Sequence, residues 1–174
     1  CCNILYFFSA LDHAVNWRIL RWYFLSVLII IADQATKNIA TKNLLYGEYI
    51  NIFTGLNLIL VHNTGAAFSF LSDAGGWQRW LFLLISLTVS IILVIWLYRL
   101  KENQPVMSFS LTLILGGAVG NLIDRIFLGY IIDFIDIYYK NYHWPVFNLA
   151  DASITLGAAL FILKNFFLTK NTDK

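Results

Sequence analysis

Charged residues are scarce in this chain of 174 residues, since Asp, Glu, Lys and Arg together make up only 13% of it. The formal net charge is +2 and like charges are dispersed, so no nucleic-acid partner is expected. Hydrophobic residues make up 59%, aromatic residues 17%, and the mean hydropathy is +0.69. That composition is too apolar for a soluble domain of this length and predicts an integral membrane protein.

Residues that commonly bind metals or act as nucleophiles are also few. The two cysteines, Cys1 and Cys2, are adjacent, which is poor evidence for a structural disulfide. The three histidines, His13, His62 and His143, are scattered, and with the cysteines they show no zinc-ligand spacing. No histidine is paired with a serine in a recognisable nucleophile motif, so no Ser-His-Asp set is expected. We therefore expect neither a metal nor another cofactor.

Long apolar runs are what the chain has in abundance. Residues 80–98 and 106–123 carry no charge, and as helices each would extend roughly 27 to 29 Å, close to the hydrocarbon thickness of a bilayer. Two further apolar segments are interrupted, the first by Asp33 and Lys37 and the last by Lys164. We predict a single, mainly α-helical membrane domain over residues 1–174, with four transmembrane helices at about 19–37, 80–98, 106–124 and 150–168.

The lysines and arginines indicate the orientation of these helices. Arg18 and Arg21 precede the first span, Arg99 and Lys101 follow the second, and lysines accompany the end of the fourth. By the positive-inside rule these ends are cytoplasmic, as are both termini, and the connections 38–79 and 125–148 lie on the outer face. Within the outer connections, alternating runs at 49–53 and 56–62 predict a small β element. The segment 63–76 is interpreted as a short interfacial helix.

Four aspartates lie in the stretch from Gly120 to Asp151, between two apolar segments. An ionised group in the middle of a membrane helix costs about 2.5 to 3.5 kcal/mol, so acids at membrane edges are functional candidates. The pattern at 130–138 predicts a strand that places Asp133 and Asp136 on opposite faces. Asn148 is a predicted N-cap, with Asp151 in the first turn of the last helix.

Each polar residue also has a purely structural interpretation. Asp33 and Lys37 have i, i+4 spacing and could neutralise each other, and Asn63 is typical of a turn. Asn121 and Asp124 could lock a helix end, where Arg125 could pair with a neighbouring carboxylate.

The outer end of the third span and the start of the fourth become neighbours if the 125–148 connection folds back. Asp133 and Asp151 can then meet. Two carboxylates at close range share a proton, as in aspartic proteases.

Five motifs carry a family resemblance. They are D-Q-A-T-K at 33–37, N-T-G-A-A-F at 63–68, G-N-L-I-D-R at 120–125, I-I-D-F at 131–134 and F-N-L-A-D at 147–151. Together and in this order they resemble the lipoprotein signal peptidases, the signal peptidase II family. The resemblance implies an aspartyl endopeptidase of the bacterial inner membrane, with its active site at the periplasmic face. It also implies a diacylglyceryl-modified prolipoprotein substrate, cleavage before the lipidated cysteine, contact with membrane lipid, and inhibition by globomycin.

The resemblance further implies a role for each matching residue. The catalytic pair would be Asp133 and Asp151. Residues that support the site or bind substrate would be Asp33, Lys37, Asn63, Gly65, Asn121, Asp124, Arg125 and Asn148. Ile131 and Ile132 stand where the family often has valine, which is a conservative departure.

A rival interpretation is a proton-coupled carrier or channel. In it Asp33, Lys37, Asp124 and Asp151 would form a relay. It is disfavoured because the second span has no ionisable residue and most acids cluster at one face.

Overall fold

The computed structural model describes residues 17–65, 77–100 and 104–168. Most of the segment 63–76, predicted as an interfacial helix, lies outside the described residues, as do Cys1, Cys2 and His13. Four helices in the described part are long and apolar enough to span a membrane. They are α1 (Trp17–Asn43), α2 (Gln78–Arg99), α3 (Pro105–Phe127) and α4 (Leu149–Leu163), the last continuing as a π-helix over Lys164–Leu168.

The helices agree with the predicted spans at most ends, but α1 continues to Asn43 where the sequence predicted an end near residue 37. Residues 38–43 include no glycine or proline, so nothing in the local sequence ends the helix at Lys37. Ala40 and the following Leu44 are buried against the sheet, in a cluster with Leu60, Ile132 and Phe134. Tertiary packing thus stabilises the extra turns and fixes the sheet to the C-terminal end of α1.

α3 lies at the centre of the bundle, with most of its residues buried, whereas most residues of the other three helices are not buried. Its glycines permit the close approach. A Cβ on Gly116 would lie 2.8 Å from the Ile29 side chain of α1, and one on Gly117 would meet the Ala150 carbonyl of α4. The C-terminal half of α3 is consequently held close to both α1 and the start of α4.

The strands form one antiparallel sheet in the order β1-β2-β3-β4. They are β1 (Tyr49–Phe53), β2 (Leu56–Asn63), β3 (Ile131–Tyr139) and β4 (Tyr142–His143). Gly55 turns the chain between β1 and β2 with φ +102, and Gly129 leads from α3 into β3 with φ +86. The register of β2 and β3 pairs Val61 with Asp133. The predicted β segments are confirmed and belong to a single sheet.

Candidate active site

Lys37 is the buried cation of a polar network between α1 and α3. Its Nζ lies 2.8 Å from Asp33 Oδ2 and 2.8 Å from Asp124 Oδ2, and it donates to Asn121 Oδ1 at 3.0 Å. All three charged side chains are buried, with Lys37 only 1% exposed. The Asp33–Lys37 pair expected from the i, i+4 spacing is therefore present. Because Lys37 also binds Asp124, the pair connects α1 to α3.

Asp33 extends this network to α4. Its Oδ1 accepts from the backbone N–H of Ala150 at 2.9 Å, which satisfies one of the unpaired donors at the start of that helix. Gly120 makes room for the contact, because a Cβ there would lie 2.6 Å from Asp33 Oδ2. Asp33 thereby links α1, α3 and α4.

Asp124 fastens the end of α3 to the sheet. Its carboxylate accepts from Gln34 Nε2 at 2.9 Å and from the backbone N–H of Ile132 at 3.2 Å, in addition to Lys37. The residue after Ile132 is Asp133, so Asp124 fixes the strand next to the predicted catalytic position. This is the structural role that the spacing of Asn121 and Asp124 suggested.

Asp133 lies on β3 and is only 2% exposed. Its Oδ2 accepts from Asn63 Nδ2 at 2.9 Å and its Oδ1 from Asn148 Nδ2 at 2.7 Å. Burial, reinforced by the charge of Asp151, raises the pKa of Asp133 to about 7 in spite of both hydrogen bonds. Asp133 can therefore hold or release a proton near neutral pH.

Asp151 lies in the first turn of α4 and forms a capping box with Asn148. Asn148 Oδ1 accepts from the Asp151 N–H at 2.9 Å, while Asp151 Oδ2 accepts from the Asn148 N–H at 3.3 Å. Asn121 Nδ2 donates to Asp151 Oδ1 at 2.8 Å. Because the Asn148 side chain also binds Asp133, one fully buried asparagine connects the two predicted catalytic aspartates.

Arg125 is arranged differently from the sequence interpretation, in which it could pair with a neighbouring carboxylate. Its Nη1 donates to Ser86 Oγ on α2 at 3.2 Å, and its Nη2 to the carbonyl of Gly65 at 3.3 Å. Gly65 also donates its N–H to Asn63 Oδ1 at 3.0 Å. Within the part of the chain that the structure describes, the direct partners of Arg125 are thus neutral acceptors.

Asp136 is separate from these groups, on the opposite face of β3 as predicted. It is buried, accepts from Asn57 Nδ2 at 2.8 Å, and lies 2.9 Å from His143 Nδ1. His62 stacks on Tyr130 at 4.1 Å between ring centroids, and burial lowers its pKa. In the described part of the chain, neither histidine side chain forms a hydrogen bond with Asp133 or Asp151. Among the described residues, no three His, Cys, Asp or Glu side chains are grouped to hold a metal ion.

Three residues of these networks were not singled out from the sequence. Gln34 lies within the D-Q-A-T-K motif, so its position there could have indicated its contact with Asp124. Asn57 and Ser86 carry no comparable signal, because an asparagine on a strand and a serine in an apolar helix are usually unremarkable.

The chain also matches known proteins over most of its length. A model of the family described as signal peptidase (SPase) II matches residues 25–167. The chain belongs to the signal peptidase II family. Curated lipoprotein signal peptidases from Acinetobacter baumannii and Teredinibacter turnerae are 53% and 46% identical to it, over 89% and 87% of this chain and 88% and 90% of theirs.

Two solved structures, each described as that of a bacterial membrane enzyme, have the same fold as this signal peptidase II family member. Their TM-scores are 0.78 and 0.71, each at 31% identity, and they cover 92% of this chain and 94% and 96% of their own. The family resemblance and the predicted fold class are confirmed. The comparisons support removal of signal peptides from prolipoproteins and give no support to a carrier or channel.

Proposed function

We propose that this protease is an aspartyl endopeptidase whose catalytic residues are Asp133 and Asp151. The observation that carries the proposal is the hydrogen-bonding of Asn148, which binds Asp133 through its side chain and Asp151 through its backbone and side chain. A raised pKa of Asp133, caused by burial and then by Asp151, supports a pair that holds one proton near neutral pH.

Such a pair can hydrolyse a peptide bond without a covalent intermediate. The ionised carboxylate removes a proton from water, whose oxygen attacks the scissile carbonyl carbon, while the protonated carboxyl group donates its proton to the carbonyl oxygen. The resulting tetrahedral diol collapses when the leaving nitrogen gains a proton and the C–N bond breaks. Lys37, Asn63, Asn121 and Asn148 hold the two carboxylates in register during these steps.

The position of the aspartates suits a lipid-anchored substrate. Both lie where the sheet joins the ends of the membrane helices, on β3 and in the first turn of α4. A diacylglyceryl group that stays in the bilayer would hold the adjoining peptide bond near this level. We therefore propose that the substrate is a diacylglyceryl-modified prolipoprotein and that cleavage occurs before its lipidated cysteine. The chain would form one membrane domain whose site opens at the periplasmic face of the inner membrane.

The test is cleavage of a diacylglyceryl-modified prolipoprotein by purified full-length variants in detergent. Asp133→Asn and Asp151→Asn should each lower kcat by at least about a thousandfold, because neither retains the shared proton. Asp136→Asn is the matched control, since Asp136 is also buried and lies three residues along the same strand. It should keep wild-type turnover per folded molecule. The assignment would be refuted if Asp133→Asn or Asp151→Asn turned over substrate. It would also be refuted if the folded Asp136→Asn control were the only variant to lose turnover.

Inhibition by globomycin is the second part of the proposal. Wild-type protein should lose prolipoprotein cleavage when globomycin is added. The folded Asp133→Asn and Asp151→Asn variants should still bind it, because most contacts of an inhibitor are expected not to involve the shared proton. Cleavage that is insensitive to globomycin would refute inhibition by globomycin. It would not affect the assignment of Asp133 and Asp151, which the variants test.

A further inference from the structure

α2 contributes no acidic residue to the site, but it contacts Arg125 at two positions. Ser86 Oγ accepts from Arg125 Nη1 at 3.2 Å, and Arg125 Cζ lies 5.7 Å from the centre of the Phe82 ring. Phe82 and Ser86 have i, i+4 spacing and therefore lie on one face of α2. That face supplies both a hydrogen-bond acceptor and an aromatic surface to a single guanidinium group.

The second nitrogen of the guanidinium is held by a different segment. Arg125 Nη2 donates to the carbonyl of Gly65, two residues after β2 ends at Asn63. The side chain is therefore fixed between α2 and the segment following β2. Both of these acceptors are neutral, so within the described residues the orientation of the guanidinium is set without an ion pair.

This charge is available to the aspartate pair. The carboxylates of Asp151, Asp133 and Asp124 all lie within electrostatic reach of the guanidinium. Asp124 already has Lys37 as a direct partner at 2.8 Å, whereas Asp133 and Asp151 accept only from neutral donors in the described part of the chain. Among the described residues, neither Asp133 nor Asp151 has a cation in direct contact, so the charges of Arg125 and Lys37 both act on them from a distance.

The hydroxyl of Ser86 differs from those of several other helical serines. Serines in helices commonly donate to the carbonyl of the residue four positions earlier. Ser26, Ser90, Ser110 and Ser153 all do so. Ser86 instead accepts from another helix, and its own carbonyl is the acceptor for Ser90 Oγ at 2.7 Å.

We infer that Ser86 is a positioning residue of the cleavage site, which orients the Arg125 guanidinium so that its charge acts on Asp133 and Asp151. The inference rests on the proposed function, because it assigns a role relative to that catalytic pair. Ser86 does not touch the reacting atoms. It acts through Arg125, which the Gly65 carbonyl also helps to orient.

The test compares Ser86→Ala with Ser90→Ala in the full-length protein. Both remove a hydroxyl from the same helix, one turn apart, and only Ser86 contacts Arg125. Ser86→Ala should lower kcat for a diacylglyceryl-modified prolipoprotein about tenfold with KM and melting temperature close to wild type, as expected for one weakened transition-state interaction. Ser90→Ala should retain wild-type kcat, and Ser86→Thr should restore most of it.

The pH dependence of kcat/KM distinguishes this role from a purely structural one, which would leave it unchanged. A cation held near a carboxylate favours its ionised form, so a loosened guanidinium should move the high-pH fall in kcat/KM toward higher pH in Ser86→Ala. Ser86→Ala should also cause no further loss when added to Arg125→Lys, because lysine lacks the planar fork that Ser86 orients.

The outcomes separate this inference from the proposed function. Turnover by Asp133→Asn would refute the catalytic pair itself. Inactive Asp133→Asn together with wild-type kcat and pH profile in Ser86→Ala would refute only the role of Ser86. An equal loss of kcat in Ser90→Ala would also overturn the inference, because it would trace the effect to packing of α2.

Discussion

At the scale of single residues, burial sets the pH at which Asp133 ionises, and the hydrogen bonds to its carboxylate moderate the effect. Its pKa is raised to about 7 by burial and then by Asp151, and the bond from Asn63 opposes that rise. Below pH 7 one proton is retained by the pair, and above it that proton is lost. We therefore expect kcat/KM to fall as the pH rises through about 7.

Asn63→Ala tests this dependence. Removing an N–H that stabilises the ionised carboxylate raises the pKa of Asp133 further, so the high-pH fall should move upward by about one pH unit. Asn51→Ala, an exposed asparagine on β1 whose bonds go to Phe53, Asn57 and Tyr138, is the control and should not move it. A fall that stays at the wild-type pH in Asn63→Ala, or moves to lower pH, would contradict the role of this bond.

The same shift has a consequence for folding stability. The folded pKa of about 7 exceeds the ordinary value of 3.8, so between these values the folded state keeps a proton that the unfolded state has lost. The contribution of Asp133 to the free energy of unfolding therefore decreases as the pH rises from about 4 to 7. Burial of the Asp133 carboxylate thus lowers stability at neutral pH, and Lys37, Asn63 and Asn148 offset part of that cost.

Lys37 is the residue whose removal should cost most stability. Lys37→Met keeps the length of the side chain but leaves Asp33 and Asp124 as buried carboxylates without their cation, which should lower the free energy of unfolding by about 3 to 5 kcal/mol. The control is Lys42→Met, an exposed lysine at the end of the same helix, which should change it by less than about 0.5 kcal/mol. Equal unfolding midpoints of the two variants in detergent would show that the buried pair adds little.

At the scale of elements, the sheet has its own polar network on the face opposite Asp133. His143 Nδ1 lies 2.9 Å from Asp136 Oδ1, and its ring stacks on Tyr138 at 5.3 Å between centroids. His143→Phe keeps the ring but removes a donor from a buried carboxylate, which should cost about 1 to 3 kcal/mol of stability. Catalytic turnover per folded molecule should be unchanged, because this face does not contact the aspartate pair.

Tyr142→Phe is the control for that measurement. Tyr142 is the neighbouring residue of β4 and is 81% exposed, so loss of its hydroxyl should leave the melting temperature at the wild-type value. If His143→Phe melts at the same temperature as Tyr142→Phe, the Asp136–His143 contact does not support the sheet.

The elements were predictable to different degrees. Uncharged runs of membrane-spanning length indicated α2 and α3, and alternation indicated the strands, because these patterns follow from helix and strand geometry alone. Asn148 was recognisable as an N-cap from its place before Asp151. The last turns of α1 were missed because packing of Ala40 on the sheet, not local sequence, stabilises them.

The contacts within the site were the least predictable. Lys37 binds Asp124 and Asn121 on α3, and Arg125 binds Ser86, 39 residues away in sequence. Such pairs depend on how helices turn toward one another and on side-chain rotamers, which a hydropathy pattern does not specify. The family resemblance named most of these residues, but the geometry was needed to show which of them bind each other.

At the scale of the whole molecule, the sheet and the aspartates lie at one end of the helix bundle. β1 follows α1, β3 follows α3, and α4 begins shortly after β4, so the same ends of three helices meet the sheet. Of the 12 lysines and arginines, seven lie in sequence at or beyond the other ends of the helices, away from the sheet. They are Arg18, Arg21, Arg99, Lys101, Lys164, Lys170 and Lys174. Among the five others, Lys37 and Arg125 are held within the site.

This asymmetry in the positions of the lysines and arginines predicts that the sheet lies on the side of the membrane away from the cytoplasm. In a variant whose Cys1 and Cys2 are replaced by serine, Tyr142→Cys in β4 should react with a membrane-impermeant maleimide in intact cells. Asn103→Cys, between α2 and α3, should react only after the cells are permeabilised, and it leaves every positive charge in place. The reverse pattern would put Asp133 and Asp151 on the cytoplasmic side, where an aspartate pair could not reach a lipoprotein precursor exposed at the outer face.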